Sequence, residues 1–356
     1  MTNKNKTLKK GAFFTDIHFG KKANSSVHNE DCIHFIEWFC ARVKADPEID
    51  YIAFLGDWNE NRSALNIATL NYSYQGAKLI NELGLPVYFV VGNHDLYHRH
   101  NREIHSIVPF NEFSNFIIID EPLVEENIHD RVLFSPYLFH DEYEGLVKEY
   151  LDIPFWAGHF EFKGFLVTGY GMKMPTGPNH EDFRGPEHIV SGHFHKRQAV
   201  DNIIYMGNTF PMDFGDAGDS ERGMMTFDHE TKEMLFDNWP DCPMYIKAKL
   251  SDLLDETVVL RPNTRVKCIV DIQITFEEST AVREAYLTKF NLREFTMEES
   301  LELKEALSDT KSNIDWEENE LASVNELVLQ MLQEIESEHI DNDQLVTIYS
   351  GLKTRI

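Results

Sequence analysis

Cysteine is scarce in this chain: Cys32, Cys40, Cys242 and Cys268 are far apart, with no Cys-x-x-Cys pair among them. That spacing argues against a zinc ribbon or a dithiol redox centre and predicts reduced, mostly buried thiols. Long apolar runs are also missing. No stretch approaches the ~20 residues needed to cross a bilayer, so no membrane domain is expected. The first ten residues are basic, but the apolar segment after them is too short for a signal-peptide core before Asp16 interrupts it. A cytoplasmic chain is expected. Positive charge is in deficit, with 33 Lys and Arg against 60 Asp and Glu and a net charge of -27. Such a balance disfavours a broad basic face for nucleic acid. Its distribution softens that objection, because 19 acidic residues against 5 basic ones between Glu277 and Asp343 hold about half of the excess. Bound divalent cations would offset some of the remaining carboxylates. Nothing repeats at a solenoid period.

What the chain does have is a series of short apolar runs that stop abruptly at polar clusters. Its 356 residues suffice for two domains, or one large domain with appendages. Gly11 to Thr15 stops at Asp16-Ile17-His18, and Tyr51 to Leu55 stops at Gly56-Asp57-Trp58-Asn59-Glu60. Phe89 to Val91 stops at Gly92-Asn93-His94-Asp95. Helical spacing over 29–44 and roughly 65–83 separates these runs. Strand, helix, strand, helix, strand at this spacing predicts parallel strands with right-handed crossovers. Strands near 115–119 and 131–135 are expected next. Ile153 to Ala157 then runs into Gly158-His159, and Glu187 to Ser191 into Gly192-His193-Phe194-His195. Residues 202–239 have the pattern of short antiparallel strands.

From about 241 the character changes. Met244 to Leu250, Glu256 to Leu260 and Arg265 to Ile274 alternate in the strand manner, and a charged helix is expected over 279–291. A small α+β unit over 241–292 follows from this. Residues 293–319 are acidic and weakly patterned, a linker or loose helix. Leu321, Val324, Val328, Met331 and Ile335 then recur at helical steps, and a last short helix is expected over 342–352.

Seven side chains stand at the strand ends: Asp16, His18, Asp57, Asn93, His159, His193 and His195. In α/β sheets, ligands gather outside the carboxyl ends of the strands. Two carboxylates, four imidazoles and an amide suit first-row cations such as manganese or iron better than an all-oxygen magnesium or calcium shell. Seven donors exceed what one such ion needs, whereas two ions bridged by a carboxylate fit the count and leave room for water and substrate. Trp58 reads as packing, and His98, His100 and His105 as exposed polar residues.

Asp-x-His, Gly-Asp-x-x-Glu, Gly-Asn-His-Asp, Gly-His and Gly-His-x-His, in this order, resemble the five signatures of the calcineurin-like metallophosphoesterases. The resemblance implies an α/β sandwich of two mixed β-sheets flanked by helices. It implies one metal held by Asp16, His18, Asp57 and His195, and a second held by Asp57, Asn93, His159 and His193. His94 resembles the family's catalytic histidine. Glu60 stands where many relatives carry an Asp that orients that histidine, a departure in side-chain length. Within the superfamily the chain is similar to SbcD-type repair nucleases, and particularly to the recombination-endonuclease subunit of tailed bacteriophages. Gly158 to Phe165, Gly171-Met172-Lys173, Tyr205 to Asn208 and Arg222-Gly223 are further matching blocks.

That likeness implies a metallophosphoesterase domain over 1–240, a DNA-capping domain over 241–292 and C-terminal helices docking on an SbcC-type coiled-coil ATPase over 293–356. It implies DNA as substrate, a homodimer, and two divalent ions, manganese first, with magnesium or iron as alternatives. Exonuclease and single-strand or hairpin endonuclease activity, in the cytoplasm of a host if the source is viral, would follow. Arg62, Arg99 and Lys173, on loops beside the motifs, are candidate DNA contacts. A small-molecule phosphodiesterase or phosphatase of the same superfamily is the alternative.

Overall fold

The structure, a computed structural model, describes residues 7–167 and 171–300. The three N-terminal apolar runs form β1 (Lys10–Phe14), β2 (Ile49–Phe54) and β3 (Val87–Val90). They pair in parallel, and β4 (Phe116–Ile119) continues the row beyond β3. Between them run α2 (Ser26–Ala45), entered through a one-turn segment α1 (Lys21–Asn24), and α3 (Ile67–Asn81). Ser25 and Asn66 cap the two long helices by accepting hydrogen bonds from the His28 and Ala68 amides.

A second six-stranded sheet has the order β5-β6-β7-β8-β10-β9. Its strands are β5 (Leu123–Glu125), β6 (Val132–Ser135), β7 (Phe155–Gly158), β8 (His188–Ser191), β9 (Gln198–Val200) and β10 (Ile203–Tyr205). Strands β6, β7, β8 and β10 are parallel, while β5 and β9 close the edges antiparallel. The chain then returns to the first sheet, where β11 (Gly223–Asp228) and β12 (Met234–Asn238) add antiparallel beside β1.

Alternation along the strands sorts their side chains into separate cores. Phe13, Tyr51, Ala53, Tyr88 and Val90 point inward and meet Phe134, Phe155, Ala157 and Val190 of the second sheet. Tyr88 stacks on Phe134 with ring centroids 4.2 Å apart. Phe14, Ile52, Phe54 and Phe89 point the other way, onto Ile33, Ile36, Phe39 and Val43 of α2 and Ala77 and Ile80 of α3. On the far side, Trp156, Ile189 and Tyr205 pack with Phe160, Phe162 and Phe183 and with Leu146 of α4 (Tyr143–Tyr150). The architecture is therefore the expected sandwich of two mixed sheets flanked by helices.

A three-stranded sheet follows, all parallel, in the order β13 (Tyr245–Lys249), β14 (Arg265–Val270), β15 (Glu294–Glu299). It carries the short α5 (Leu250–Leu254) and α6 (Phe276–Lys289), the latter opened by a Thr275/Glu278 capping box. Two expectations change here. Residues 256–260 form no strand, because the Glu256 and Thr257 amides bond back to Leu253 and Asp252 and close α5. The third strand comes instead from Glu294–Glu299, inside the stretch read as linker, because β14 needs a partner on that edge and β15 supplies its backbone. Through Ser300 the chain is one compact unit. Residues 301–356, with the amphipathic stretch at 321–335 and the helix expected at 342–352, lie outside the described residues. Among those described, no helix is long and apolar enough to cross a membrane. The four cysteines are free, and Cys32, Cys40 and Cys268 are buried.

Candidate metal centre

Five strands deliver polar side chains from their carboxyl ends to one place. β1 brings Asp16 and His18, β2 Asp57 and Glu60, β3 Asn93 and His94, β7 His159 and Glu161, and β8 His193 and His195. The glycines between strand and cluster permit the approach. A Cβ on Gly92 would lie 2.2 Å from the Asp57 amide nitrogen, and one on Gly192 would lie 2.1 Å from Thr15 Oγ1. Asp16, His18, Asp57 and His193 adopt left-handed backbone, with φ of 51°, 52°, 61° and 85°. Conformations of this kind cost of order 1–3 kcal/mol each and persist where surrounding bonds fix them. Asp95 supplies such bonds: its buried carboxylate accepts from the amides of Gly92, Asp57, Trp58 and Asn59, each at 3.0 Å.

The donor atoms converge in two sets. In the first, His18 Nε2 faces His195 Nε2 at 3.2 Å, and Asp16 Oδ1 lies 3.8 and 3.9 Å from the two rings. In the second, Asn93 Oδ1 lies 2.9 Å from His159 Nε2 and 3.0 Å from His193 Nδ1. Asp57 Oδ2 stands between the sets, 3.7 Å from His18 Nε2 and 3.4 Å from His159 Nε2. Its other oxygen, Oδ1, accepts the His94 amide at 2.8 Å. Donors ~2 Å from a shared ion lie about 3–4 Å from one another, so both sets have the spacing of a ligand shell. All seven predicted ligands are thus brought together.

The electrostatics also fit a cation. Burial opposes charge on His18, yet Asp16 and Glu60 outweigh it and hold the imidazole up at about 9. Burial likewise opposes charge on His159, where Asp57 prevails and holds it at about 9. For Asp57 burial favours the neutral acid, but His159, followed by His94 and His18, keeps its carboxyl well below the usual range. His195 is pushed down to about 3 by burial and then by His18. The carboxylates therefore draw positive charge into a largely buried cluster, and divalent ions would take the place of those protons.

His94 flanks the sets, its ring 4.9 Å from that of His18 and one of its nitrogens within 4.8 Å of donor atoms of His18 and Asp57. Its Nδ1 donates to the Glu60 backbone carbonyl at 2.9 Å, leaving Nε2 as the nitrogen available to a substrate. The expected Glu60–His94 pairing is accordingly altered. The Glu60 carboxylate lies 3.7 Å from His94 Nδ1 but 2.8 Å from His18 Nδ1, and Lys21 Nζ approaches it at 3.5 Å. The extra methylene of Glu carries the carboxylate past the first ring to the second. Burial opposes its ionisation, but His18 pulls the Glu60 carboxyl down to about 2.

Sequence reasoning missed two residues. Glu161 lies 3.1 Å from His193 Nε2, a hydrogen bond that holds its carboxyl low despite burial. Its position two residues after His159, on the same face of an extended segment, was the available signal. Tyr137, just past β6, places its ring 5.7 Å from His193. With Arg99, Phe139, His140 and Glu161 it lines a cavity of about 430 Å³. Arg62 is half-buried, Arg99 is exposed on that cavity, and Lys173 is exposed on a bridge with Leu166, outside the gathered set. Trp58 is wholly buried, as expected, whereas His105 is buried rather than exposed because Leu96 pairs with it.

The calcineurin-like phosphoesterase family profile matches residues 10–197, which include all five strand ends. Exonuclease subunit 1 of Enterobacteria phage T4 is 25% identical over 225 residues, covering 62% of this chain and 65% of that protein, less than two thirds of its length. Among solved structures, a dimetal phosphatase from Danio rerio aligns at 8% identity and a TM-score of 0.37, over 62% of this chain and 93% of its own. A nuclease from Pseudomonas putida aligns at 15% and 0.30, over 63% and 87%. A purple acid phosphatase from yellow lupin aligns at 11% and 0.40, over 65% and 53%. With the profile spanning more than half of the sequence and the whole donor constellation within it, the chain belongs to the calcineurin-like phosphoesterases, hydrolases that use two divalent metal ions.

Proposed function

We propose that the chain is a metal-dependent phosphodiesterase acting on DNA, an exonuclease and single-strand or hairpin endonuclease within an ATPase–nuclease complex for end processing, recombination and repair. The observation that carries this reading is the position of Asp57 Oδ2 between two donor sets, with His94 alongside. Asp16, His18, Asp57 and His195 would hold one ion and Asp57, Asn93, His159 and His193 the other. The mixed nitrogen and oxygen donors favour Mn²⁺, with Fe²⁺ or Mg²⁺ as alternatives. Bound ions in such a pair lower the pKa of water and neutralise charge developing on the phosphoryl group.

The protein's own contributions are positional. Water adds to phosphorus, releasing its proton to solvent, as the bond to the leaving nucleoside oxygen breaks; His94, protonated on both ring nitrogens for this step, donates from Nε2 to the phosphorane-like charge or gives that proton to the leaving oxygen. The Glu60 carbonyl on Nδ1 keeps the ring turned for this task. Arg62, Arg99 and Lys173 would contact phosphates flanking the scissile bond. The phage relative, named an exonuclease subunit, supports both the nuclease activity and a multisubunit setting. In that setting the sheet beyond residue 241 caps DNA, the C-terminal stretch docks on an SbcC-like coiled-coil ATPase, and the nuclease forms a homodimer.

Incubation of an end-labelled short duplex with Mn²⁺ tests the reading. Cleavage that stops on chelation is expected. His94→Ala should keep its ions while hydrolysis falls about 10²–10⁴-fold, the range of general acid–base catalysis. Turnover of small phosphodiesters or phosphomonoesters with DNA left intact would replace the nuclease by a small-molecule hydrolase.

A further inference from the structure

Two carboxylates outside the donor sets stand behind rings of those sets. Glu60 Oε2 lies 2.8 Å from His18 Nδ1 as an ion-pair contact off hydrogen-bond geometry, and Glu161 Oε2 hydrogen-bonds His193 Nε2 at 3.1 Å. In each ring the opposite nitrogen joins the converging donors, His18 Nε2 at 3.2 Å from His195 Nε2 and His193 Nδ1 at 3.0 Å from Asn93 Oδ1. His18 serves the first set and His193 the second, so each set has one ring backed by a carboxylate. His159 is held differently, by Nδ1 donating to the Leu55 carbonyl at 2.7 Å.

A carboxylate behind an imidazole does more than a carbonyl. It fixes the tautomer and ring angle, and its charge raises the basicity of the nitrogen that meets the ion. The sets differ in their need for this. The first contains Asp16 as well as the shared Asp57, whereas the second has Asp57 alone with a neutral amide from Asn93. Glu161 brings negative charge to the poorer set.

We propose that Glu60 and Glu161 are positioning residues assigned one to each ion position, Glu60 through His18 and Glu161 through His193, and that they set the cation affinity of the two positions separately. This rests on the two-ion reading above, but its test does not depend on cleavage.

Mn²⁺ uptake by the full chain is followed by electron paramagnetic resonance, which distinguishes free ions, single bound ions and exchange-coupled pairs. In E161Q, affinity at one position should fall about 10-fold or more, within the 10–100-fold range for lost outer carboxylates. The coupled-pair signal should then disappear at Mn²⁺ levels that fill the wild type, leaving a single-ion signal. E60Q should do the same from the other side. His195→Ala, which disables the first position, identifies which is which: E161Q added to it should remove the remaining uptake, while E60Q should change little. Metal-free circular dichroism spectra of the Gln variants should match the wild type, excluding a general loss of structure. Two-ion binding with unchanged affinity in both variants would overturn this inference alone. A wild-type chain that never takes up two ions would overturn the two-ion reading, and this inference with it.

Discussion

Trp58, just past the end of β2, is wholly buried among Phe14, Phe54, Phe89 and Phe110, whereas Phe276, at the start of α6, leaves 86% of its surface exposed. The two aromatics represent two ways of holding parallel strands. In the sandwich both sheets and the flanking helices press large side chains into continuous cores, and the metal-facing loops are anchored at the ends of those strands. In the three-stranded sheet one helix, α6, buries none of its residues, and charged pairs do part of the fastening. Arg293, just before β15, grips Asp31 of α2 through two hydrogen bonds of 2.5 and 2.7 Å, and Lys22 meets the Tyr245 hydroxyl. The seven candidate donors sit on the densely packed part. The small sheet has a shorter buried set of its own, including Leu250, Val266, Cys268 and Phe295, and with α6 unburied it is the part expected to open at lower free energy.

The contrast can be broken most forcefully at Trp58. Trp58→Ala should destabilise the protein by about 3–5 kcal/mol in urea unfolding and weaken Mn²⁺ uptake with it. A loss below 1 kcal/mol would mean that packing does not secure the site. Arg293→Ala should cost about 1.5–3 kcal/mol, the value of hydrogen bonds to a charged group. Its effect should be local, with faster amide exchange in 245–299 and unchanged protection in β1 to β3. Exchange that rises equally in both regions would erase the distinction between them. Phe276→Ser should lie within about 0.5 kcal/mol of the wild type, as for other exposed positions. A larger loss would reveal a hidden contact of α6.

Much of the sandwich was legible in the sequence because its central strands, β1, β2, β3, β6, β7 and β8, are nearly all buried and stop abruptly at polar residues, four of them through a glycine at or just past the strand end. The convergence of the seven candidate donors was legible for the same reason, since each follows the end of one of those strands. Glu60's true neighbour was not. A count of residues from Asp57 cannot tell which of two adjacent imidazoles a Glu side chain reaches, and only the placement of His18 beside His94 decides it. Tyr137 comes from a segment distant in sequence from His193, and no local pattern announces that meeting; Glu161 had only its place two residues after His159 to mark it. The error at 256–260 has another origin. Alternating Val259 and neighbours resemble a strand, but the edge of β14 was claimed by β15, a competition that depends on pairing 30 residues away.

Asp95 gives the order in which this site can come into being. Its carboxylate ties amides from the β2 end to one from the β3 end. Those bonds form only after β2 and β3 have paired, with α3 already crossing between them. A nascent chain therefore has no partial site to offer while its seven donors, spread from Asp16 to His195, are still being brought together. On the two-ion proposal, ions that bind only the assembled donors would stabilise the completed sandwich over any half-assembled intermediate.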